Sequence, residues 1–453
     1  MKDHRRFTCG AYLVPLGVLF SLSTASCVTA QDAKAADPKP AADPADRQVF
    51  FGEQHLHTAA SPDAFAVGTR GTWEDAYNWA LGNEVTLSTT GAKIKKSTPY
   101  DFVGITDHAE YFGVMPRLID NNDPLSKSEF AKKLQDPKGS ATDPTSAISI
   151  ILGSILTSTA MPEYVTPEML QDNWSKYVKV ANKFNDPGKF TTLIAFEWTS
   201  IPNGRNMHRN VFFRGNGPKA PYSAFDSIFP EDLWTYLEVH RNAGMECFAI
   251  PHNGNVSDGW MYSPQEFLGG PMDARYAQRQ ALNEPLTEII QTKGQSDTHP
   301  LFSPNDEFAE FELFQNMINV GQTSQIKFGY VRQGLVEGMI LEEQLGANPY
   351  KMGIVSGADS HSAYSNNEEN NFHGSHGATD DTPVKRLNPA ISPSGNMIRR
   401  SRSASGKPHR AKIQRGVKKN RNTWNLYATT PHSDCCRLYF ATAQSVQKDS
   451  IKV

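Results

Sequence analysis

The chain of 453 residues is 38% hydrophobic and 10% aromatic, which suffices for one large core or two ordinary cores and excludes an intrinsically disordered protein. Its formal net charge of -3 gives no overall attraction to nucleic acids or acidic membranes, so no nucleic-acid partner is expected. The five cysteines form neither a disulfide framework nor a recognisable metal-binding spacing.

The N-terminal residues 1–30 have the pattern of a cleaved signal peptide. A basic start precedes an apolar stretch that is too short to span a bilayer comfortably, and small residues then form a cleavage site. The alternative is a lipoprotein signal in which Cys27 carries the lipid, although Thr24 stands where such signals usually have leucine. Residues 31–47 are rich in Ala, Pro and Asp and are predicted to be a disordered linker. The mature protein is therefore expected to be exported to the periplasm, free or lipid-anchored, without a transmembrane span.

From residue 48, short apolar runs alternate with helical patterns, which predicts an α/β fold of parallel strands joined by crossover helices. The predicted strands are residues 48–52, 102–106, 191–197, 211–214, 246–250, 308–314 and 352–356. The predicted helices are residues 73–81, 167–184, 230–243 and 330–345. Residues 121–166 are predicted to be an insertion, whose apolar segment at 146–156 packs on the rim of a barrel or covers a site.

A His-x-His pair, His55 and His57, closely follows the first predicted strand. Side chains two apart on a strand point to the same face, so the two imidazoles can converge on one metal ion. An isolated pair of this kind is more often two exposed polar residues in a loop. The interpretation as a metal site therefore depends on partners elsewhere in the chain.

Such partners follow other predicted strands. Residues of metal-binding type stand at or near the ends of these strands: Asp107, His108, Glu197, His252, Asp359 and His361. In a (β/α) barrel the C-terminal ends of the strands meet at one rim, so residues distant in sequence become neighbours there. The set suits divalent transition metals, and a carboxylate such as Glu197 can bridge two ions.

A basic segment around His208 offers further candidates. His208 precedes another predicted strand and is either a ligand of a second ion or a surface histidine. Arg205 and Arg209 flank it, and a guanidinium matches the geometry of phosphate or sulfate oxygens, although solvated surface arginines are the more common case.

The motifs FGEQHLHT, GITDHAEY, AFEWTS, AIPHN and GADSH, in this order, resemble the PHP superfamily, named for polymerase and histidinol phosphatase. With NMHRNVFF, HPLFSPNDEFAEFE and NPYKMGIVSGADSH, the chain looks like an exported bacterial branch of unknown function, over roughly residues 48–381. The resemblance implies a distorted (β/α) barrel of about seven parallel strands ringed by helices, spanning 48–389, with its metal site at the C-terminal rim. It also implies two or three divalent ions, Zn, Mn or Fe, and hydrolysis of phosphate esters.

Matched residue by residue, the resemblance implies these metal ligands: His55, His57, His108, Glu197, His208, His252, Asp359 and His361. Glu197 would bridge two ions. Many superfamily members have another histidine shortly after the first pair, and Asp63 is a candidate substitute for it here. A water activated by the metals would attack the ester, with His361 or Asp107 protonating the leaving oxygen and Arg209 stabilising charge. For Asp107, orientation of a neighbouring residue is the favoured alternative.

Less specific features complete the pattern. Glu288 and Lys293 follow a further possible strand, and Lys293 either contacts an anionic substrate or, more commonly for a lysine, lies on the surface. His373 and His376, in a loop rich in Gly and Asn, either close over the site or have no role there. Residues 390–453 form a divergent basic tail that is predicted to be mostly disordered.

The predicted function is therefore an exported metal-dependent hydrolase acting on a small phosphorylated or otherwise anionic ester. One alternative is an amidohydrolase-type hydrolase, which also begins with His-x-His but usually has a bridging lysine where Glu197 stands. The other is a non-catalytic exported protein that binds metal or anions.

Overall fold

The computed structural model describes residues 49–135, 145–318, 321–365 and 367–387. The predicted signal peptide, linker and basic tail lie outside these residues. The α-helices are α1 Pro62–Ala66, α2 Trp73–Ala80, α3 Val114–Ile119, α4 Glu129–Leu134, α5 Ala147–Leu156, α6 Pro167–Phe184, α7 Pro230–Asn242, α8 Ala274–Asn283, α9 Val331–Leu345 and α10 Pro383–Leu387. The strands are β1 Gly52–Glu53, β2 Val85–Thr86, β3 Lys93–Ile94, β4 Phe102–Gly104, β5 Thr191–Trp198, β6 Arg209–Phe213, β7 Cys247–Pro251, β8 Leu286–Glu288, β9 Ile290–Gln291, β10 Gly294–Gln295, β11 Asn316–Met317, β12 Gly321–Gln322 and β13 Gly353–Val355.

The four predicted helices are confirmed as α2, α6, α7 and α9, with ends that differ by at most one residue. Local chemistry explains two of their starts. Thr72 caps α2 in a capping box, because its hydroxyl accepts from the amide of Asp75 while the Asp75 carboxylate accepts from the amide of Thr72. Thr166 caps the amide of Met169, and Pro167 occupies the first turn of α6, where no intrahelical donor is needed.

Five strands form one sheet in the order β1-β4-β5-β6-β7. β1, β4 and β5 pair in parallel, but β6 runs antiparallel to both β5 and β7. The prediction of parallel strands is therefore wrong for the strand near residues 211–214. The physical reason is the connection between β5 and β6, which spans residues 199–208 without an α-helix and is too short for a parallel crossover.

The predicted strand at 308–314 is also wrong, because this segment forms turns in which Phe308 and Phe311 are exposed. The remaining predicted strands are found with shifted ends.

β8 and β13 form a separate parallel pair that adjoins the sheet at both ends. On one side, the hydroxyl of Thr287 on β8 donates to the carbonyl of Pro251 on β7 at 3.3 Å. On the other, Leu56 and Ser360 form a parallel bridge between the segments that follow β1 and β13. This neighbour order is the one that a barrel requires, but the ladders of the described strands are not continuous around a ring, so the barrel stays a prediction.

The main core lies between the five-stranded sheet and helices α2 and α6 and is rich in buried aromatic side chains: Tyr77, Trp79, Trp174, Tyr177, Phe196 and Trp198. A second apolar cluster involves the predicted insertion. Ile151 and Ile155 of α5 pack in this cluster with Phe65 of α1 and Met115 of α3. Because α1 and α3 follow the His55–His57 and Asp107–His108 motifs, α5 packs close to the chain segments that carry them.

None of the helices in the described part of the chain combines the length and apolar composition needed to cross a lipid bilayer.

Candidate metal centre

The eight predicted metal ligands are all buried and come together at one place, where Asp63 joins them. We call these nine residues the candidate centre. Three groups within it offer ligand atoms that lie within 4.8 Å of one another. The groups are His55, Glu197 and His252; His55, His57 and Asp359; and His57, Asp63, His108 and His361.

Glu197, at the end of β5, faces two sets of imidazoles with its two carboxylate oxygens. Its Oε1 lies 2.7 Å from Nδ1 of His208 and 2.9 Å from Nε2 of His252. Its Oε2 lies 3.2 Å from Nε2 of His57 and 3.3 Å from Nδ1 of His108. This is the arrangement expected of a carboxylate that bridges two ions.

Asp359 also divides its two oxygens between two environments. Its Oδ1 lies 3.2 Å from Nε2 of His55 and 3.1 Å from Nε2 of His57. Its Oδ2 accepts from the amide of Gln291 at 2.7 Å and forms a close ion pair with the ammonium of Lys293. The carboxylate is thus held by donors on one side and faces the imidazoles with the other.

Asp63 lies beside His108 and His361, two of the predicted ligands. Its Oδ2 lies 3.0 Å from Nε2 of His108 and 2.7 Å from Nε2 of His361. The side chain is 32% exposed, whereas those of the two histidines are 8% and 6% exposed. Asp63 therefore lies where this part of the candidate centre reaches the surface.

The carboxylate of Glu53 ties the first and last motifs together. Its Oε1 accepts from the backbone amides of Gln54, His55 and Ala358 at 2.9, 2.8 and 3.1 Å. Gly357 allows its backbone to lie close to His55, because a Cβ at position 357 would lie 2.5 Å from the Cβ of His55. The next residue but one, Asp359, adopts a left-handed φ of 47°, an uncommon conformation for a residue with a side chain.

Hydrogen bonds to the ring nitrogens that face away from the candidate centre orient His55 and His57. Nδ1 of His55 lies 2.9 Å from Oε2 of Glu288, and Nδ1 of His57 lies 2.9 Å from the hydroxyl of Ser61. These contacts leave Nε2 of both rings facing the candidate centre, as partners behind metal-binding histidines usually do.

The donor atoms of the candidate centre fit a divalent metal. Among the described residues, Nε2 of His55, Nε2 of His57 and Oε2 of Glu197 are buried without a hydrogen-bond partner. An unsatisfied buried polar atom costs about 1–3 kcal/mol, so three that face one another call for an explanation. Imidazole nitrogens and carboxylate oxygens together suit Zn, Mn and Fe.

The carboxylates are held in their ionised form. Burial alone would raise the pKa of Glu197, but the imidazoles of His108 and His252 hold it well below its usual value. Burial likewise opposes ionisation of Asp359, but Lys293 and His55 keep its pKa well below the ordinary range. Both residues are therefore charged, as metal ligands must be.

The imidazoles respond to the same environment in two ways. Burial would lower the pKa of His108, but Asp63 and Glu197 raise it to about 10. Burial is the stronger influence at His208 and lowers its pKa to about 4, despite the neighbouring Glu197. In the metal-free protein at neutral pH, His108 is thus protonated and His208 is neutral.

Asp107 is placed behind the candidate centre. Its carboxylate accepts from the amide and hydroxyl of Thr58, the hydroxyl of Ser61 and the indole N–H of Trp73, at 2.6 to 2.9 Å. Through its hydrogen bonds with Thr58 and Ser61, Asp107 orients the turn that follows His57. The structure supports this positioning role and not the predicted protonation of a leaving group.

Arg209 does not reach the candidate centre. In the β5–β6 ladder it pairs with Trp198, whereas Glu197 pairs with Asn210, and successive residues of a strand point to opposite faces. Its Nε donates to Glu284 at 3.0 Å in a buried ion pair. The structure therefore does not support the predicted stabilisation of substrate charge by Arg209.

Arg205 is also engaged elsewhere. Its guanidinium forms an ion pair of 3.0 Å with Asp258 and lies over the ring of Trp260. The notion that these arginines bind phosphate thus has no geometric support.

One loop histidine lies beside the candidate centre. The ring of His376 stacks on that of His361, with centroids 5.5 Å apart, and its backbone amide donates to Asp380. His373, by contrast, makes an edge contact with Trp79. Of the two, His376 alone contacts a residue of the candidate centre.

Sequence reasoning missed several contributors. Glu53 accepts hydrogen bonds from backbone amides, and Ser61 contacts a ring nitrogen of His57. No rule based on residue spacing identifies such contacts. Gln291 was also missed, although Lys293, which reaches Asp359 from the same short hairpin, was a candidate. The indication for Lys293 was its position after a possible strand.

The chain matches the family described as "Protein of unknown function (DUF3604)" over residues 44–409. No curated protein and no solved structure matches it significantly. The match covers most of the 453 residues and includes the whole candidate centre. Membership of the PHP superfamily stays a prediction. The chain belongs to the DUF3604 family of proteins of unknown function.

Proposed function

We propose that this protein is an exported metal-dependent hydrolase that binds two or three divalent ions, Zn, Mn or Fe, and cleaves phosphate esters. The observation that carries the proposal is the position of Glu197, whose two oxygens face separate sets of imidazoles. Carboxylates that join neighbouring ions are typical of sites for phosphoryl chemistry. Export rests on the N-terminal pattern, which lies outside the described residues.

The residues of the candidate centre divide among the proposed ions. His55, His57, Asp359 and Glu197 would hold the first, and Glu197, His208 and His252 the second. Asp63, His108 and His361 would hold the third. When bound, such ions act as Lewis acids and lower the pKa of coordinated water.

The other residues hold these ligands in place. Asp107 fixes the turn after His57, and Glu288 orients the ring of His55. Burial keeps bulk water away from the ligands, which strengthens their electrostatic interactions. His361 is proposed as a ligand and not as the proton donor, because its Nε2 already lies in a ligand group with Asp63.

The alternatives are less well supported. An amidohydrolase-type site would place a lysine where Glu197 joins the two sets of imidazoles, but the ion pair that the ammonium of Lys293 forms is with Asp359. A non-catalytic metal binder would have the same ligands without hydrolytic activity. The activity assay below separates it from an enzyme.

The proposal is tested by hydrolysis of p-nitrophenyl phosphate and bis(p-nitrophenyl) phosphate. Activity should disappear on chelation and return with Mn, Zn or Fe. The Glu197→Gln variant should lose activity by more than about 100-fold, since loss of even a supporting residue typically costs 10- to 100-fold. The matched control is Glu129→Gln, at a side chain that is 89% exposed. A Glu197→Gln variant as active as this control, or activity that survives chelation, would contradict the proposal.

A further inference from the structure

Lys293 occupies a defined position beside the candidate centre. It lies in a two-residue turn between β9 and β10, which pair in antiparallel fashion with Gln291 opposite Gly294. Gly294 has a left-handed φ of 91°, and a Cβ there would lie 2.5 Å from the carbonyl of Glu312. The glycine therefore allows a tight hairpin that presents the lysine to Asp359.

Lys293 is also more exposed than the residues it approaches. Its side chain is 32% exposed, whereas Asp359 is 2% and Glu197 is 2% exposed. Among the members of the candidate centre, Asp63 reaches the same 32%. A molecule that approaches the candidate centre from solvent therefore meets the side chain of Lys293 early.

The ion pair with Asp359 does not use the full capacity of this ammonium. An ammonium has three N–H donors, and the described contacts of Lys293 place one of them on Oδ2 of Asp359. Gln291 donates to that same oxygen, so the carboxylate is supported even without the lysine. Within the described part of the chain, Lys293 is the only Lys or Arg that forms an ion pair with a residue of the candidate centre.

We propose that Lys293 binds the anionic group of the substrate, donating to an oxygen of a phosphate-like oxyanion while it keeps its contact with Asp359. This inference rests on the proposed function and adds a residue that selects charged substrates. The positive charge of two or three divalent ions would exceed the negative charge of the three carboxylates, Asp63, Glu197 and Asp359. A further cation at the exposed side would strengthen the attraction of anions.

The experiment measures binding of inorganic phosphate to the metal-loaded full chain by calorimetry, with metal content determined on the same samples. Lys293→Met removes the charge and keeps much of the length, and Lys293→Arg keeps the charge. Lys189→Met is the control, because Lys189 is 80% exposed and pairs with Asp186.

We expect Lys293→Met to retain its metal and to bind phosphate about 10-fold or more weakly, as loss of a charged hydrogen bond implies. Lys293→Arg should recover part of this loss, and Lys189→Met should bind as the wild type does. For an active enzyme, KM should rise in Lys293→Met with a smaller change in kcat, the sign of lost substrate binding.

Unchanged phosphate affinity in a metal-loaded Lys293→Met variant would overturn the inference. Loss of metal from that variant would overturn it too, because Lys293 would then act only by positioning Asp359. A wild-type protein that holds metal and binds phosphate but hydrolyses no ester would contradict the proposed function alone.

Discussion

Glu197 and Asp359 show how single residues organise the candidate centre, since each carboxylate serves two environments with its two oxygens. Both could be predicted from sequence, because each stands at or just beyond the end of an apolar run. Asp63 and Lys293 could be named but not placed. Their positions depend on a helix start and a hairpin turn, and residue spacing does not specify where these lie relative to the strand ends.

A pH dependence of metal affinity follows from the shifted pKa values. Burial would lower the pKa of both His108 and His55, but carboxylates raise that of His108 to about 10, and Glu288 and Asp359 raise that of His55 well above its usual value. His108 is therefore protonated in the metal-free protein at neutral pH, the raised pKa of His55 favours its protonated form, and an ion must compete with these protons. His208, with a pKa lowered to about 4, contributes no such competition above pH 5.

Affinity for Zn or Mn should therefore fall as the pH is lowered from 8 to 6, because proton competition increases in that direction. Calorimetry in buffers of different ionisation enthalpy should show release of protons on binding. An affinity that is constant or rises toward low pH, with no proton release, would contradict these assignments.

At the scale of elements, the candidate centre depends on the contact between the segments that follow β1 and β13. The four predicted helices have a helical apolar pattern, and two of them also have a recognisable start, such as Thr166 before Pro167 in α6. The antiparallel direction of β6 could not, since an apolar run carries no direction. The joining carboxylate, Glu53, was also beyond prediction, because its partners are backbone amides distant in sequence.

Substitution of Glu53 tests this contact. Glu53→Ala would leave two buried amides and one half-buried amide without their acceptor and should lower the free energy of unfolding by roughly 2–4 kcal/mol. Glu53→Gln keeps one acceptor oxygen and should lose less. Denaturant unfolding of the metal-free proteins measures both. Equal unfolding midpoints for the wild type and Glu53→Ala would show that the carboxylate does not hold the two motifs together.

At the scale of the whole molecule, residues from distant parts of the sequence, from His55 to His361, form one cluster that is buried except at Asp63. The sequence supports this convergence because parallel strands bring their ends to one edge of a sheet. The position of β8 beside β7 depends on contacts such as that of Thr287 with Pro251, which no local pattern predicts. Family membership extends over residues 44–409 and leaves the chemistry to be established by experiment.

The most direct test is the metal content of the purified full chain, measured by mass spectrometry after supply of Zn, Mn or Fe. We predict about two or three ions per wild-type chain, and at least one fewer in Glu197→Gln, because both of its oxygens would contribute to binding. Glu129→Gln should match the wild type. A folded wild-type protein that binds no metal, or a Glu197→Gln variant with the full complement, would contradict the account.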